Sequence, residues 1–225
     1  MMDVIKAILE RHSTRDFKPD AIPKATLVKI LEAALHSPSA GNSQPWQIFV
    51  AGGAVTQRIT EAYLDRFIRD VPGRPEMSGL PPSQWPQAMQ DCMKQITNDR
   101  LKLLGINPQD KAAMKAYWEI NGRLFRAPVL VILCMDKALS TWTAFDFGLL
   151  SQTIMLAARG YEVDSIVATA FISQPDILRK ELEIPDSVQI VTGIGLGYEN
   201  IKSIINSYRS PRRSLQEVVT IKGIN

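Results

Sequence analysis

The most constraining feature of the sequence is the run PVLVILCM, which covers Pro128–Met135. It is apolar at nearly every position, so both faces of a strand formed here would avoid water. Such a strand has to lie inside a sheet, with a strand on each side and helices packed over both faces. We therefore predict a central strand at this place, with Cys134 as a buried, unreactive thiol.

Apolar residues spaced by three and four positions predict the helices, and short apolar runs between turn residues predict the other strands. The predicted helices are Asp3–Glu10, Lys24–His36, Val55–Arg69, Gln87–Leu104, Pro108–Arg123, Phe145–Gly160 and Pro175–Leu182. The other predicted strands are Trp46–Gly52, Glu162–Thr169 and Val188–Gly195, followed by an extended segment at Glu217–Ile221. Helices outnumber strands and strict βαβ alternation is missing, so the predicted fold class is α+β, in a single domain over residues 1–225.

The charge balance and the distribution of apolar residues exclude several classes of protein. Lys and Arg number 26 against 23 Asp and Glu, and a net charge of +3 is too weak for binding nucleic acid through bulk charge. No apolar run reaches the roughly 20 residues that span a bilayer, and the N-terminus lacks the apolar core of a signal peptide. We therefore expect a soluble cytoplasmic protein without a membrane or nucleic-acid partner.

The glycine cluster GIGLG, with Gly193, Gly195 and Gly197, resembles a dinucleotide-binding fingerprint. That fingerprint has to open a helix within a βαβ unit and precede an acidic residue by about 20 positions. Only 28 residues follow Gly197 (225 − 197), and they include the turn-like SPRR. We interpret the glycines instead as a strand end that passes close to another backbone or to a ligand.

Two polar loops carry candidate binding residues. In RHSTR, Arg11 and Arg15 can fork onto a phosphate or another anionic oxygen while Ser13 donates a hydrogen bond. A solvated basic loop would have the same composition. The loop SPSAGNSQPW, residues 37–46, offers amides and small side chains that suit a flat polar heterocycle, although these residues also dominate ordinary turns.

Candidate general acids and bases are scarce. His12 and His36 are the only histidines, and neither has neighbours at metal-ligand spacing, so no metal site is predicted. The carboxylates Asp146, Glu162 and Asp164 are interpreted as capping or surface groups. An enzyme with this sequence would therefore depend on a bound cofactor for its chemistry.

Three motifs in order, RHSTRDF, SPSAGNSQPW and the closing SPRRSLQEVV, resemble the nitroreductase family of FMN-dependent NAD(P)H oxidoreductases. FDFGLLSQTIMLAARG and GYEVDSIVATAF also lie where that family has its central dimer helix and a flavin-contacting stretch. The similarity covers nearly the whole chain apart from the Pro-rich middle. It implies an α+β, nitroreductase-like fold with a small mixed central sheet surrounded by helices, in an intertwined homodimer whose C-terminal arm extends to the partner.

The resemblance also implies a role for each site residue. Arg11 and Ser13 would hold the FMN phosphate together with Arg212, for which Arg209 or Arg213 could substitute. Arg15 would approach the N1/O2 edge of the isoalloxazine, where a cation stabilises the reduced anionic flavin. Pro38–Ala40 would cover the ring from the other subunit, and a backbone N–H, that of Thr169, would bond flavin N5. The full set of implied FMN-binding residues is Arg11, His12, Ser13, Arg15, Pro38, Ser39, Ala40, Asn42, Gln44, Val167, Ala168, Thr169, Ala170 and Arg212.

The implied activity is a ping-pong hydride transfer. NAD(P)H reduces the bound FMN and leaves, and an electron-poor nitroaromatic or quinone-like acceptor then enters the same slot. Alternatives on this fold are a reductive dehalogenase, which would use a Glu-xxx-Tyr pair that the sequence lacks, and an enone reductase. A non-catalytic flavin-binding protein is the alternative from another class.

The segment 70–120 would form a lid over the flavin, because the family's variable region lies there. Its Pro-rich first part is followed by two predicted helices. The apolar and aromatic residues that would form a roof for flat substrates are Trp85, Met89, Met93, Tyr117 and Trp118. The alternative is a helical pair that packs these side chains into the core.

Overall fold

The centre of the fold is a four-stranded sheet built around the apolar run. The computed structural model describes residues 3–77, 79 and 81–224. The strands are β1 (Trp46–Gly52), β2 (Val129–Asp136), β3 (Asp164–Val167) and β4 (Val188–Gly197), in the order β1-β2-β4-β3. The prediction of a central strand is confirmed, because β2 pairs on both sides and its residues 129–135 are all buried.

All neighbouring strands in this sheet run antiparallel. The expected small sheet is present, but the expectation that it is mixed is wrong for the strands of this chain. Gly52, the last residue of β1, pairs with Val129, the first of β2, so the long connection between them leaves and re-enters the sheet at the same end of the two strands. A connection of that kind reverses the chain direction and produces an antiparallel pair.

Helices cover both faces of the sheet, as the apolar run requires. The α-helices of the described residues are α1 (Val4–Glu10), α2 (Lys24–Ala34), α3 (Gly53–Ile68), α4 (Gln87–Leu104), α5 (Lys111–Gly122), α6 (Ala144–Gly160), α7 (Pro175–Leu182) and α8 (Leu215–Val218). On one face, Leu130, Ile132 and Cys134 pack into a core with side chains of α3 and α7. On the other face, Val131 and Leu133 pack against α2 and α6.

The thiol of Cys134 lies inside the first of these two cores. Burial raises its pKa to about 12, so the thiol stays protonated and unreactive at neutral pH. The prediction of a buried structural cysteine is therefore confirmed.

The glycines of β4 make room for side chains of neighbouring elements. A Cβ atom added at Gly193 would lie 2.5 Å from Cβ of Phe171, and one at Gly195 would lie 2.6 Å from Cζ of the same ring. At Gly197 the nearest atom would be Cδ of Pro128, at 2.6 Å. The close approach that we predicted from the sequence exists, but side chains rather than a backbone or a ligand cause it.

The tail departs from the prediction of an extended segment at Glu217–Ile221. The short helix α8 includes Glu217 and Val218, because a capping box starts it. The Glu217 carboxylate accepts hydrogen bonds from the Ser214 backbone N–H and hydroxyl, each at 2.7 Å.

No helix that the structure describes combines the length and the apolar character needed to cross a membrane.

Candidate functional site

The RHSTR loop is held against the edge of the sheet next to β3. Ser13 forms an isolated parallel bridge with Ser165, and the N–H of Thr14 donates to the Ser165 carbonyl at 3.1 Å. Asn206, which is 1% exposed, accepts from the Arg15 N–H and donates to the Asp16 carbonyl, both at 2.7 Å. These bonds fix the backbone from which the predicted arginines project.

Asn206 was not predicted from the sequence. Its partners lie about 190 positions away along the chain, and a single asparagine in INSYRS carries no local signal for such a contact.

A cavity of about 650 Å³ opens beside this loop. Four of the predicted site residues line it: Ser13, Arg15, Val167 and Ala168. The segment 70–120 contributes Arg100, Leu104, Ile106, Ala113, Ala116, Tyr117, Trp118 and Ile120 to the same wall. The cavity therefore combines an apolar, aromatic wall with cationic groups, as a flat anionic ligand requires.

Arg15 is the predicted cation of this cavity, and its environment is strongly positive. Its Nη1 donates to the Ser13 carbonyl at 2.9 Å. Burial lowers the pKa of Arg15 to about 10, and the charges of Arg100 and Arg209 lower it as well, while Tyr117 and Tyr208 act in the opposite direction. Arg15 is still charged at neutral pH, so the cavity attracts anions.

Arg11 and Arg212 come from opposite ends of the chain and lie close enough to repel each other. Burial lowers the pKa of Arg11, and the positive charge of Arg212 lowers it further. Among the residues that the structure describes, Arg212 donates only to backbone carbonyls, those of Ser210 at 2.8 Å and Pro211 at 3.2 Å. Within residues 3–77, 79 and 81–224, no carboxylate pairs with either guanidinium.

Of the two possible substitutes for Arg212, each is engaged elsewhere. The Arg209 Nη1 donates to the Asn206 and Tyr208 carbonyls, and Arg213 pairs with Glu217 at 3.9 Å. Arg212 is the tail arginine whose charge acts on Arg11, and Arg209 and Arg213 do not share this effect.

Both ring nitrogens of His12 contact other groups of the chain. Its Nδ1 lies 3.1 Å from the Glu10 carbonyl, and its Nε2 lies 3.3 Å from Oε1 of Glu199. His12 does not line the large cavity, and its contact with a cofactor stays a prediction.

The stretch Val167–Ala170 separates the large cavity from a second one. The second cavity, of about 490 Å³, is lined by Ala168, Thr169 and Ala170, and Trp118 and Asn121 line both. Ala168 donates its N–H to the Gly193 carbonyl at 3.3 Å. Thr169 and Ala170 begin a 3₁₀ helix, so their N–H groups have no acceptor among the described residues and are free for a ligand.

The predicted loop Pro38–Gln44 lies on the exposed surface and lines neither cavity. The buried carboxylate of Asp146, at the start of α6, accepts from the Ala40 N–H at 3.3 Å. Asn42 and Gln44 both have positive φ angles, of 57° and 46°, which are uncommon for residues with side chains.

Of the three carboxylates that we interpreted as capping or surface groups, Glu162 is exposed, but Asp146 is buried and Asp164 is half-buried, because each of these two accepts from a backbone N–H of another segment. Asp146 anchors the loop just described, and Asp164 accepts from the Glu199 N–H at 2.9 Å and pairs with Arg159 at 3.3 Å. Burial raises the pKa of Asp164, and these partners oppose the rise.

Only two of the five predicted roof residues line the large cavity. Tyr117 and Trp118 line the large cavity, and their rings make an edge contact at 4.9 Å. Trp85, Met89 and Met93 lie on the exposed surface of the segment and do not reach this cavity. None of the three is packed into the core, which argues against the interpretation of the segment as a buried helical pair.

Comparison with known proteins matches residues 8–198 to the nitroreductase family. The chain is 31% identical over 220 residues to a chloronitrobenzene nitroreductase of Comamonas testosteroni, and the match covers 95% of this chain and 94% of that protein. It is 32% identical, with the same coverage, to a nitrobenzene nitroreductase of Ectopseudomonas oleovorans. The fold is similar to that of the FMN-dependent nitroreductase NfnB from Mycobacterium smegmatis in complex with NADPH, with a TM-score of 0.90 and 25% identity over 98% of this chain and 100% of that one.

Proposed function

The chain belongs to the nitroreductase family, and on that premise we propose that it is an FMN-dependent oxidoreductase that uses NAD(P)H to reduce nitroaromatics, quinones or similar electron-poor acceptors. The observation that carries the proposal is the pair Arg11 and Arg212, two cations without a carboxylate partner among the described residues. Like charges brought together by folding cost free energy unless an anion lies between them. A phosphate meets that requirement, and the adjoining apolar cavity suits an aromatic ring.

The residues present fit FMN. Arg11, Ser13 and Arg212 would hold the phosphate, and Arg15 would stand at the N1/O2 edge of the ring. The free N–H of Thr169 would donate to N5. When bound, FMN supplies two-electron chemistry, because it accepts hydride from NAD(P)H and passes it to the acceptor.

The chain's own groups would assist this chemistry in two ways. Arg15 would stabilise the negative charge that reduction places on the pyrimidine side of the ring, because its guanidinium is partly desolvated and stays charged. Ile166, Tyr117 and Trp118 would exclude water from the ring. One cavity would receive NAD(P)H and the acceptor in turn, which is the basis for a ping-pong sequence.

A homodimer would complete the site. The exposed loop Pro38–Gln44 would cover the flavin bound by the partner subunit, since it lines neither of the two cavities described above. Large exposed apolar side chains near the start of α6 and in the tail support such an interface, Trp142 at 77% and Phe145 at 65% exposure being examples. The tail beyond Arg212 would extend to the partner, and the segment 70–120 would act as the lid through Tyr117 and Trp118.

The test is a titration of the apoprotein with FMN, followed by anaerobic reduction with NADH and NADPH and by steady-state assays with nitrobenzene and benzoquinone. We expect flavin absorbance bands, bleaching by a reduced nicotinamide, and parallel lines in double-reciprocal plots. A protein that does not take up FMN at micromolar concentration would contradict the proposal. Bound FMN that neither nucleotide bleaches would indicate a non-catalytic flavin-binding protein instead.

A further inference from the structure

Arg100 is a second arginine in the large cavity, and it comes from helix α4 of the segment 70–120. Its Cζ lies 5.2 Å from the centre of the Tyr208 ring, and the Cζ of Arg15 lies 5.9 Å from the same centre. The Nε of Arg100 is buried and has no hydrogen-bond partner among the described residues. A buried guanidinium nitrogen without an acceptor costs free energy and marks a position where an acceptor is missing.

The carboxylates next to these two arginines in the sequence, Asp16 and Asp99, are engaged elsewhere. Asp99 accepts from the Tyr208 hydroxyl at 3.5 Å, and Asp16 pairs with Arg126 at 3.3 Å. Neither Arg15 nor Arg100 forms an ion pair with the part of the chain that the structure describes. The repulsion between them also contributes to the lowered pKa of Arg15. An anion bound beside Arg100 would relieve the repulsion between the two guanidinium groups.

The surroundings of Arg100 narrow the chemistry of that anion. Leu104, Ile106 and Trp118 line the same cavity, so an aromatic body would be buried beside the charge. The planar guanidinium matches a carboxylate with two parallel hydrogen bonds, which an ammonium group would not do. The pair Arg11 and Arg212 is a separate anion site, so Arg100 is not required for the FMN phosphate in the function proposed above.

We propose that Arg100 binds the carboxylate of an aromatic acid and so gives the enzyme a preference for anionic nitroaromatics, such as nitrobenzoates, over uncharged ones. This inference rests on the proposed function. Arg15 remains with the flavin edge, and Arg100 determines which acceptor is favoured.

The experiment compares Arg100→Gln and Arg100→Lys with wild type, all loaded with FMN. The matched control is Arg69→Gln, because Arg69 is exposed and pairs with Asp65 at 3.1 Å, away from the cavity. Two readouts are taken: kcat/KM for 4-nitrobenzoate and for nitrobenzene, and calorimetric binding of benzoate, which carries the carboxylate but cannot be reduced. For Arg100→Gln we expect kcat/KM for 4-nitrobenzoate to fall by about tenfold or more relative to kcat/KM for nitrobenzene, and benzoate binding to weaken by a similar factor.

Arg100→Lys should keep part of the preference, because it retains the charge but loses the two-bond geometry. An equal loss for both acceptors, or no loss for either, would overturn the inference. A loss confined to reactions driven by NADPH, with NADH unaffected, would also overturn it and would assign Arg100 to the nucleotide phosphate. If wild type reduces neither acceptor, the proposed function fails, and benzoate binding still decides whether Arg100 holds a carboxylate.

Discussion

At the scale of single residues, the site depends on cations that the fold brings together without giving them carboxylate partners. Arg11 follows the first helix and Arg212 lies in the tail, yet the charge of one lowers the pKa of the other. The repulsion between the two guanidinium groups destabilises the unliganded chain, and an anion bound between them would remove this cost. This pair is therefore the sharpest test of where the phosphate binds.

We predict that Arg11→Ala and Arg212→Ala each weaken FMN binding about tenfold or more, since each removes a charge-assisted contact to the phosphate. Fluorescence titration of the apoprotein measures the dissociation constant. The matched control is Arg213→Ala, whose guanidinium is adjacent in sequence but pairs with Glu217. A loss in the control as large as that in Arg212→Ala would show that the tail arginine has been assigned wrongly.

The residues that line the large cavity differ in how well the sequence predicted them. Ser13 and Arg15 lie in a compact motif, and the structure places both at the cavity. Arg100 lies 85 positions after Arg15 in an ordinary amphipathic helix, where a charged residue is expected on the solvated face. Only packing of α4 beside Tyr208 turns that arginine toward the cavity.

At the scale of elements, an ion pair between Glu76 and Arg179 helps to hold the beginning of the Pro-rich segment against the sheet. Glu76 accepts from Arg179 Nε at 2.7 Å and Nη2 at 2.9 Å, and from the Ile190 N–H of β4 at 2.9 Å. Arg179 also donates to the Pro185 and Val188 carbonyls, each at 2.7 Å. The segment 70–120 is thereby anchored near its N-terminal end.

We predict that Glu76→Gln lowers the free energy of unfolding by about 1–3 kcal/mol at neutral pH, because it weakens hydrogen bonds to a charged group. Burial raises the pKa of Glu76, but the bonds from Arg179 and Ile190 outweigh this and leave the pKa below its usual value. The stabilisation is thus present above the unfolded-state pKa and is lost as the pH falls through the lowered folded-state pKa.

Urea unfolding at neutral pH and at about pH 3 measures this difference. The variant and wild type should converge in acid. Asp65→Asn, which removes an exposed pair with Arg69 at 3.1 Å, should change stability by less than about 0.5 kcal/mol. A variant as stable as wild type at neutral pH would show that the segment is held by other contacts.

At the scale of the whole molecule, one chain leaves apolar surface that a monomer would expose to water. Trp142 and Phe145 stack with their ring centres 6.5 Å apart, and both are largely exposed. They lie near Asp146, which anchors the loop Pro38–Gln44. An interface at this place would bury the rings and bring that loop to a second subunit at the same time.

We predict that the protein elutes as a dimer in light-scattering chromatography and that the double variant Trp142→Glu, Phe145→Glu shifts it to the mass of one chain. Burying like charges at a two-fold interface is costly, which is the reason for the shift. The double variant should also bind FMN more weakly, because the partner's loop would no longer cover the ring once the dimer is lost. A wild-type monomer that binds FMN tightly would contradict the two-subunit site.

The sequence by itself determined most of the elements, because the periods of helices and strands are local and depend on neighbouring residues. It predicted α4 and α7 at their observed ends, the buried strand β2 and the motif that carries Arg15. The tertiary structure alone decided the antiparallel pairing of all four strands, the fit of Phe171 against Gly193, and the meeting of Arg100 with Arg15 over one tyrosine ring. These depend on contacts between distant parts of the chain, which packing selects and no local pattern encodes.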